Sequence, residues 1–402
     1  MLHLLTKFGI QLISHGTASL QEKGSNVFTV NIVTMNRQNE SENELSGGNH
    51  GGQLCAAARE FGLPKNKFLD FSANVNPLGL PAPVKKALKR ELATVVHYPD
   101  PQCQELIEKL AAYHRVDPET LLVGNGAAEL IYLLAQGIAS GKTLIPVPTF
   151  CEYERAVTNF GGQVSRFYMG EKWHLNLTQL TEQLTEVSAV FLCQPNNPTG
   201  HLIPRDSLLS FARQCEQLGI FLIVDEAFID FLEAAELLSL INVINQFKNL
   251  VVLRSFTKIY AFPGLRLGYL VANPSIVKRL RSLQPPWSIN SLAQKAGVVA
   301  LDCTDYVQRT RNLIKQERTF LINKLEKING ITPFPSEVNF ILCKLDSTLI
   351  DAIALRKFLG QRGILIRECS SFHGLDEHFF RIAVRTHKEN KILLNALERL
   401  NK

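Results

Sequence analysis

None of the eight cysteines in this 402-residue chain falls in a CxxC pair. Cys55, Cys103, Cys151, Cys193, Cys215, Cys303, Cys343 and Cys369 stand apart, most of them inside apolar segments. That spacing argues against a structural zinc site and against a disulfide framework. Buried thiols in a reduced, cytoplasmic protein with no metal are the expectation. No apolar run reaches the roughly 18–20 residues needed to cross a bilayer, so no membrane partner is expected. Basic residues form no long run either. With a formal net charge of +6 scattered along the chain, small anionic ligands are a better expectation than nucleic acid. There is no internal repeat and no clean signal-peptide pattern.

What is present suffices for a large folded core. Hydrophobic residues make up 46% and charged residues 20% of the chain, outside the composition of disordered proteins. Residues 1–49 are expected to be a flexible amino-terminal extension, with Met35 as a candidate internal start. Met1 to Thr34 mixes apolar and polar residues, and Gln38 to Asn49 reads as a polar linker. From about residue 120, short apolar runs alternate with helical spacing. The strands expected are Leu121–Gly124, Thr143–Val147, Gln163–Tyr168, Ala189–Cys193, Phe221–Asp225, Val251–Ser255 and Leu267–Val271. Continuous apolar runs suit strands buried on both faces, and the alternation predicts an α/β fold with a mostly parallel seven-stranded sheet. After Pro285-Pro286 the pattern changes. One long helix is expected over Ser291–Ile328, then shorter strands at Asn339–Lys344, Ile364–Arg367 and Phe379–Val384. The division expected is therefore a segment 50–92 that packs with the carboxyl-terminal part, a large domain over 93–286 and a smaller α+β domain over 287–402.

The residues with chemical content gather at strand ends, where ligands bind in parallel sheets. Ser255-Phe-Thr-Lys258 closes one strand, and Arg266 follows eight residues after the lysine. A semi-buried lysine near cations can be partly neutral and attack a carbonyl. Two hydroxyls and a guanidinium can share a phosphate. Asp225 ends the run Phe221-Leu-Ile-Val; a carboxylate there is costly without a cationic partner. Asn197 sits in the turn Gln194-Pro-Asn-Asn-Pro-Thr-Gly200, and Gly124-Asn-Gly-Ala127-Ala128-Glu129 joins a strand to a helix, where free backbone N–H groups can meet a phosphate. Each piece alone is common in turns, caps and surface ion pairs.

In this order and at these strand ends, the pieces resemble the fold-type-I pyridoxal-5'-phosphate (PLP) enzymes of the aminotransferase superfamily, over nearly everything from His50 onward. The resemblance implies that Lys258 holds PLP as a Schiff base, that Asp225 pairs with the ring nitrogen and that Asn197 bonds the ring hydroxyl. It implies that Ala127, Ala128, Ser255, Thr257 and Arg266 hold the cofactor phosphate and that Phe150 stacks on the ring. It also implies that Tyr98 reaches the phosphate from a neighbouring subunit, in a homodimer with shared sites. Phe228 departs from the tyrosine that many relatives carry in Asp-Glu-Ala-Tyr. Further stretches, among them His50-Gly-Gly, Asp70-Phe-Ser-Ala-Asn74-Val-Asn-Pro-Leu-Gly79 and Ile364-Leu-Ile-Arg367, resemble the threonine-phosphate decarboxylases of cobalamin biosynthesis. That family converts the phosphorylated amino acid L-threonine O-3-phosphate to (R)-1-amino-2-propanol O-phosphate and carbon dioxide. By this resemblance Arg381 anchors the substrate carboxylate, and Arg367, His50 and nearby Asn74 receive its phosphate. Histidinol-phosphate aminotransferase is the competing resemblance; a non-catalytic PLP-binding protein is the reading from another class.

Overall fold

The computed structural model describes residues 10–13, 17–20, 28–31, 50–346 and 350–401. The chain divides into two compact units, Met1–Asn49 and His50–Lys402. The first holds strands β1 (Ile10–Ile13), β2 (Thr17–Leu20) and β3 (Phe28–Asn31) in one antiparallel sheet. Strands thus occur where the sequence suggests only an extension. Short runs such as Phe-Thr-Val-Asn are rich in residues that suit a pleated surface, but they are too brief to stand out from a mixed background. The expected linker Gln38–Asn49 lies outside the described residues.

The second unit is built on a seven-stranded sheet. Its strands are β5 (Leu121–Gly124), β6 (Lys142–Val147), β7 (Gln163–Tyr168), β8 (Ala189–Cys193), β9 (Phe221–Asp225), β10 (Leu250–Ser255) and β11 (Gly268–Ala272), in the order β5-β11-β10-β9-β8-β6-β7. All neighbours are parallel except β11, which runs antiparallel to β5 and β10. Both faces are covered, which is why the central strands read as unbroken apolar runs. Leu222, Val224 and Val252 enter one core, while Ile223, Val251 and Leu253 enter the other. Strand β4 (Leu69–Asp70) pairs in parallel with β14 (Ile364–Leu365). β12 (Ile331–Pro333), β13 (Phe340–Leu345), β15 (Arg367–Glu368) and β16 (Phe379–Ala383) form a four-stranded antiparallel sheet in the order β12-β13-β16-β15.

Two expectations about the carboxyl-terminal region need correction. The single helix over Ser291–Ile328 is two helices, Ser291–Ala300 and Thr304–Leu325. Cys303 breaks the run with a ψ of 51°. The first helix buries Ala293, Ala296, Gly297 and Ala300, whereas the second buries larger residues such as Tyr306, Ile314 and Leu321. Both stripes share the helical period, so periodicity alone does not reveal the break. The strand Ile364–Arg367 is likewise divided, one half pairing with β4 and the other with β16. Among the described residues, no helix is long and apolar enough to cross a membrane.

The alternation of side chains at the strand ends separates chemistry from support. Glu226, which follows Asp225, and Arg254, which precedes Ser255, form a buried ion pair with Nη1 of Arg254 3.1 Å from Oε2 of Glu226. Arg254 also bonds Asp230. Glu226 further accepts from the Ser239 hydroxyl at 2.6 Å and from the Leu240 N–H at 2.9 Å. Removing Glu226 would leave Arg254 with Asp230 as its remaining carboxylate and take the acceptor from the buried Ser239 hydroxyl and Leu240 N–H. Glu226→Ala is expected to cost about 3–5 kcal/mol, read as a lower urea midpoint. A loss below about 1 kcal/mol, the size of an exposed pair, would contradict this account.

Candidate active site

A cavity of about 520 Å³ is lined by residues at the carboxyl ends of β8, β9 and β10. β9 delivers Asp225, only 4% exposed. Burial pushes its carboxyl pKa up, while Tyr153, the Ala227 N–H and the Lys258 charge pull the other way. The Tyr153 hydroxyl donates to Oδ2 at 2.7 Å, and the Ala227 N–H donates to Oδ1 at 2.9 Å. Tyr153 is fully buried and stacks on Phe191, with ring centroids 5.0 Å apart.

β10 runs into the short helical turn Phe256–Ile259, which places Lys258 in the same cavity. Burial, then the charges of Arg381 and Arg266, lower the amine from its ordinary 10.5 to about 8. A lysine so placed is partly neutral near physiological pH and can act as a nucleophile. Beside it the hydroxyls of Ser255 and Thr257 lie 2.9 Å apart, both residues buried. The helix Gly126–Gly137 begins here, so the N–H groups of Ala127 and Ala128 are among those with no carbonyl of their own helix to meet. Gly126 has a φ of +78°, and a Cβ on it would lie 2.7 Å from Nη2 of Arg266. Only glycine lets the guanidinium close over this helix start. Two hydroxyls, helix-start N–H groups and a guanidinium together form a cradle for a phosphate.

The opposite side of the cavity carries a second set of cations. Arg381 is buried; its Nη1 donates to Oδ1 of Asn197 and its Nη2 to the Ser72 carbonyl at 3.0 Å. Burial lowers its pKa to about 10, so it stays charged at neutral pH. With Oδ1 of Asn197 taken up, the amide nitrogen is left as that residue's donor. Nε of Arg381 and Oδ1 of Asn74 are buried and have no hydrogen-bond partner in the protein. Buried polar atoms of this kind call for a ligand or water. Arg367, 7% exposed, donates to the Ser371 hydroxyl at 2.8 Å and lies over the Phe372 ring. His50 donates from Nε2 to Glu152 at 2.8 Å, and its ring sits 5.9 Å from that of Phe150. Phe228 packs edge-on against Phe340, so no hydroxyl stands at that position of the wall.

Of the residues singled out from the sequence, all but one line this cavity. Tyr98 does not. It is 81% exposed and rests against Trp287 with ring centroids 4.9 Å apart. Three residues of the site escape sequence reasoning: Tyr153, Ser72 and Glu152. Tyr153 and Glu152 stand three and two residues after Phe150 in Pro148-Thr-Phe-Cys-Glu-Tyr, but spacing does not identify their distant partners Asp225 and His50. The set as a whole could hold a cofactor with a phosphate, a basic ring nitrogen and a carbonyl that reacts with an amine.

Comparison with known proteins accords with this geometry. The family model described as aminotransferase class I and II matches residues 66–397. The threonine-phosphate decarboxylase of Salmonella typhimurium is 39% identical over 87% of this chain and 95% of its own. The histidinol-phosphate aminotransferase of Caldanaerobacter subterraneus is 36% identical over 82% of this chain and 92% of its own. The crystal structure of L-threonine-O-3-phosphate decarboxylase from Porphyromonas gingivalis superposes with a TM-score of 0.74 at 30% identity, covering 83% of this chain and 99% of that one. With the lysine, carboxylate and phosphate cradle in one cavity of such a sheet, the chain belongs to the aminotransferase class I and II family.

Proposed function

We propose that this protein is a PLP-dependent decarboxylase. It converts L-threonine O-3-phosphate to carbon dioxide and (R)-1-amino-2-propanol O-phosphate, the linker of the cobalamin nucleotide loop. The observation that carries the reading is the presence of two separate buried cations, Arg381 and Arg367, in the cavity of Lys258. A substrate with a carboxylate at one end and a phosphate at the other needs two such anchors. The likeness to threonine-phosphate decarboxylases supports the same choice.

In this reading Ser255, Thr257, Arg266 and the N–H groups of Ala127 and Ala128 hold the cofactor phosphate. Asn197 bonds the ring hydroxyl, Phe150 covers the ring face and Lys258 makes the covalent link. Bound there, PLP would supply the electron sink for the pair released at Cα when the carboxylate leaves. Asp225 would pair with the ring nitrogen, and the Tyr153 and Ala227 donors would favour its charged form against burial. Arg381 grips the substrate carboxylate while Arg367 and His50, with Asn74 beside them, grip the phosphate. Gripping both ends fixes rotation about the bonds at Cα, and that rotation decides whether C–C or C–H cleavage aligns with the ring. Lys258 would link PLP through Nζ, and the same amine is placed to supply the proton to Cα. The protein works as a homodimer in which Tyr98 completes the neighbouring site. Its exposure, beside the exposed apolar residues Leu92, Val95 and Val96, supports that role. Eight free thiols, only Cys55 of them exposed, suit a reducing cytoplasm.

The direct test is to give the PLP-loaded protein L-threonine O-3-phosphate with no keto acid. Carbon dioxide and aminopropanol phosphate are expected in equal amounts, from a species of twice the 45.0 kDa chain mass. No release of either, with glutamate formed from histidinol phosphate and 2-oxoglutarate, would make the protein an aminotransferase. The lysine pKa gives a second expectation. PLP uptake by the cofactor-free protein needs the neutral amine, so its rate should rise with pH and level off above about 8. A rate that climbs until the ordinary 10.5 would contradict the lowered value.

A further inference from the structure

Glu152 opens the helix Glu152–Asn159 and lines the cavity, 8% exposed. A buried carboxylate is out of place where a phosphate is to bind, unless it acts through another group. Its Oε1 accepts from Nε2 of His50 at 2.8 Å, with Nη1 of Arg155 3.5 Å away, and its Oε2 accepts from the Tyr132 hydroxyl at 3.1 Å. The carboxyl is held below its usual range, chiefly by the His50 bond, with burial opposing. Glu152 is therefore a charged acceptor with two fixed donors, one of them a candidate substrate ligand.

The backbone at His50 is fixed from the other side. Gly51 lies so close to Ser72 that a Cβ on it would fall 2.0 Å from the Ser72 carbonyl oxygen. The Gly52 N–H donates to the Ser72 hydroxyl at 2.9 Å. The same Ser72 carbonyl accepts from Arg381. The stretch that seats the carboxylate anchor thus also seats the main chain of His50, while Glu152 seats its ring.

We propose that Glu152 is a positioning residue that makes His50 a donor to the substrate phosphate, and so sets the preference for phosphorylated substrates. The inference rests on the decarboxylase reading given above. With Nε2 bonded to Glu152, Nδ1 is the ring nitrogen left to meet a ligand in the cavity. The bond also fixes the ring plane, which aims Nδ1 away from Glu152.

Glu152→Gln keeps the size and an acceptor oxygen but removes the charge. It is expected to raise KM for L-threonine O-3-phosphate about tenfold, the worth of a charge-assisted hydrogen bond. It should weaken competitive inhibition by inorganic phosphate to a similar degree. In a His50→Ala background the same change should have no further effect, because two residues acting as one unit are not additive. Absorbance of the bound cofactor verifies loading in each variant. Glu152→Asp keeps the charge but draws it back by one methylene. It should raise KM in the same direction, and it carries the test if the glutamine variant does not fold. An unchanged KM, or an equal rise with His50 already removed, overturns the inference. A wild-type protein that releases no carbon dioxide from L-threonine O-3-phosphate would instead overturn the decarboxylase reading on which it rests.

Discussion

A carboxylate buried at the end of a central parallel strand is the constraint around which this site is arranged. Asp225 lies where burial disfavours its charge, and each nearby feature offsets that cost. The Tyr153 hydroxyl and the Ala227 N–H donate to its two oxygens, and Lys258 shares the cavity as a cation. Tyr153 can serve because it is wedged against Phe191 in the core between the sheet and its covering helices. The donors that oppose the burial of Asp225 are thus placed by packing on one face of the sheet.

The strand period of two extends the same economy to the other face. Asp225 and Glu226 are adjacent, as are Arg254 and Ser255. One member of each pair lines the cavity, and the other enters the buried ion-pair network. The network ties the ends of β9 and β10 together directly beneath the reactive groups. Cations are segregated as well: Arg266 stands at the phosphate cradle, whereas Arg367 and Arg381 face it from the four-stranded sheet. That sheet places the two arginines opposite each other in register.

Most strands of the large sheet were legible in the sequence because they are short apolar runs, several of them closed by a polar or small residue, and the fold follows from their alternation with helices. Asp225, Lys258 and Asn197 were legible because they close such strands or follow them within about one turn, and Arg266 because it stands eight residues after Lys258. Tyr153 and Glu152 were not, since their roles depend on partners 72 and 102 residues away. The break at Cys303 and the division of β14 from β15 escaped for a related reason. Hydrophobic period reports that a segment is buried, not against which neighbour. Residues 10–31 show the opposite limit, where strands as brief as four residues leave too little pattern to read.

We propose that the Asp225 charge, held in the core beside Tyr153, would keep bound PLP an electron sink. Asp225→Asn tests it most directly, because the amide keeps the shape and removes the charge. The variant should still take up PLP on Lys258, visible by absorbance, while its decarboxylation of L-threonine O-3-phosphate falls by about a hundredfold or more. A variant that binds PLP and turns over within about twofold of the wild type would contradict the account.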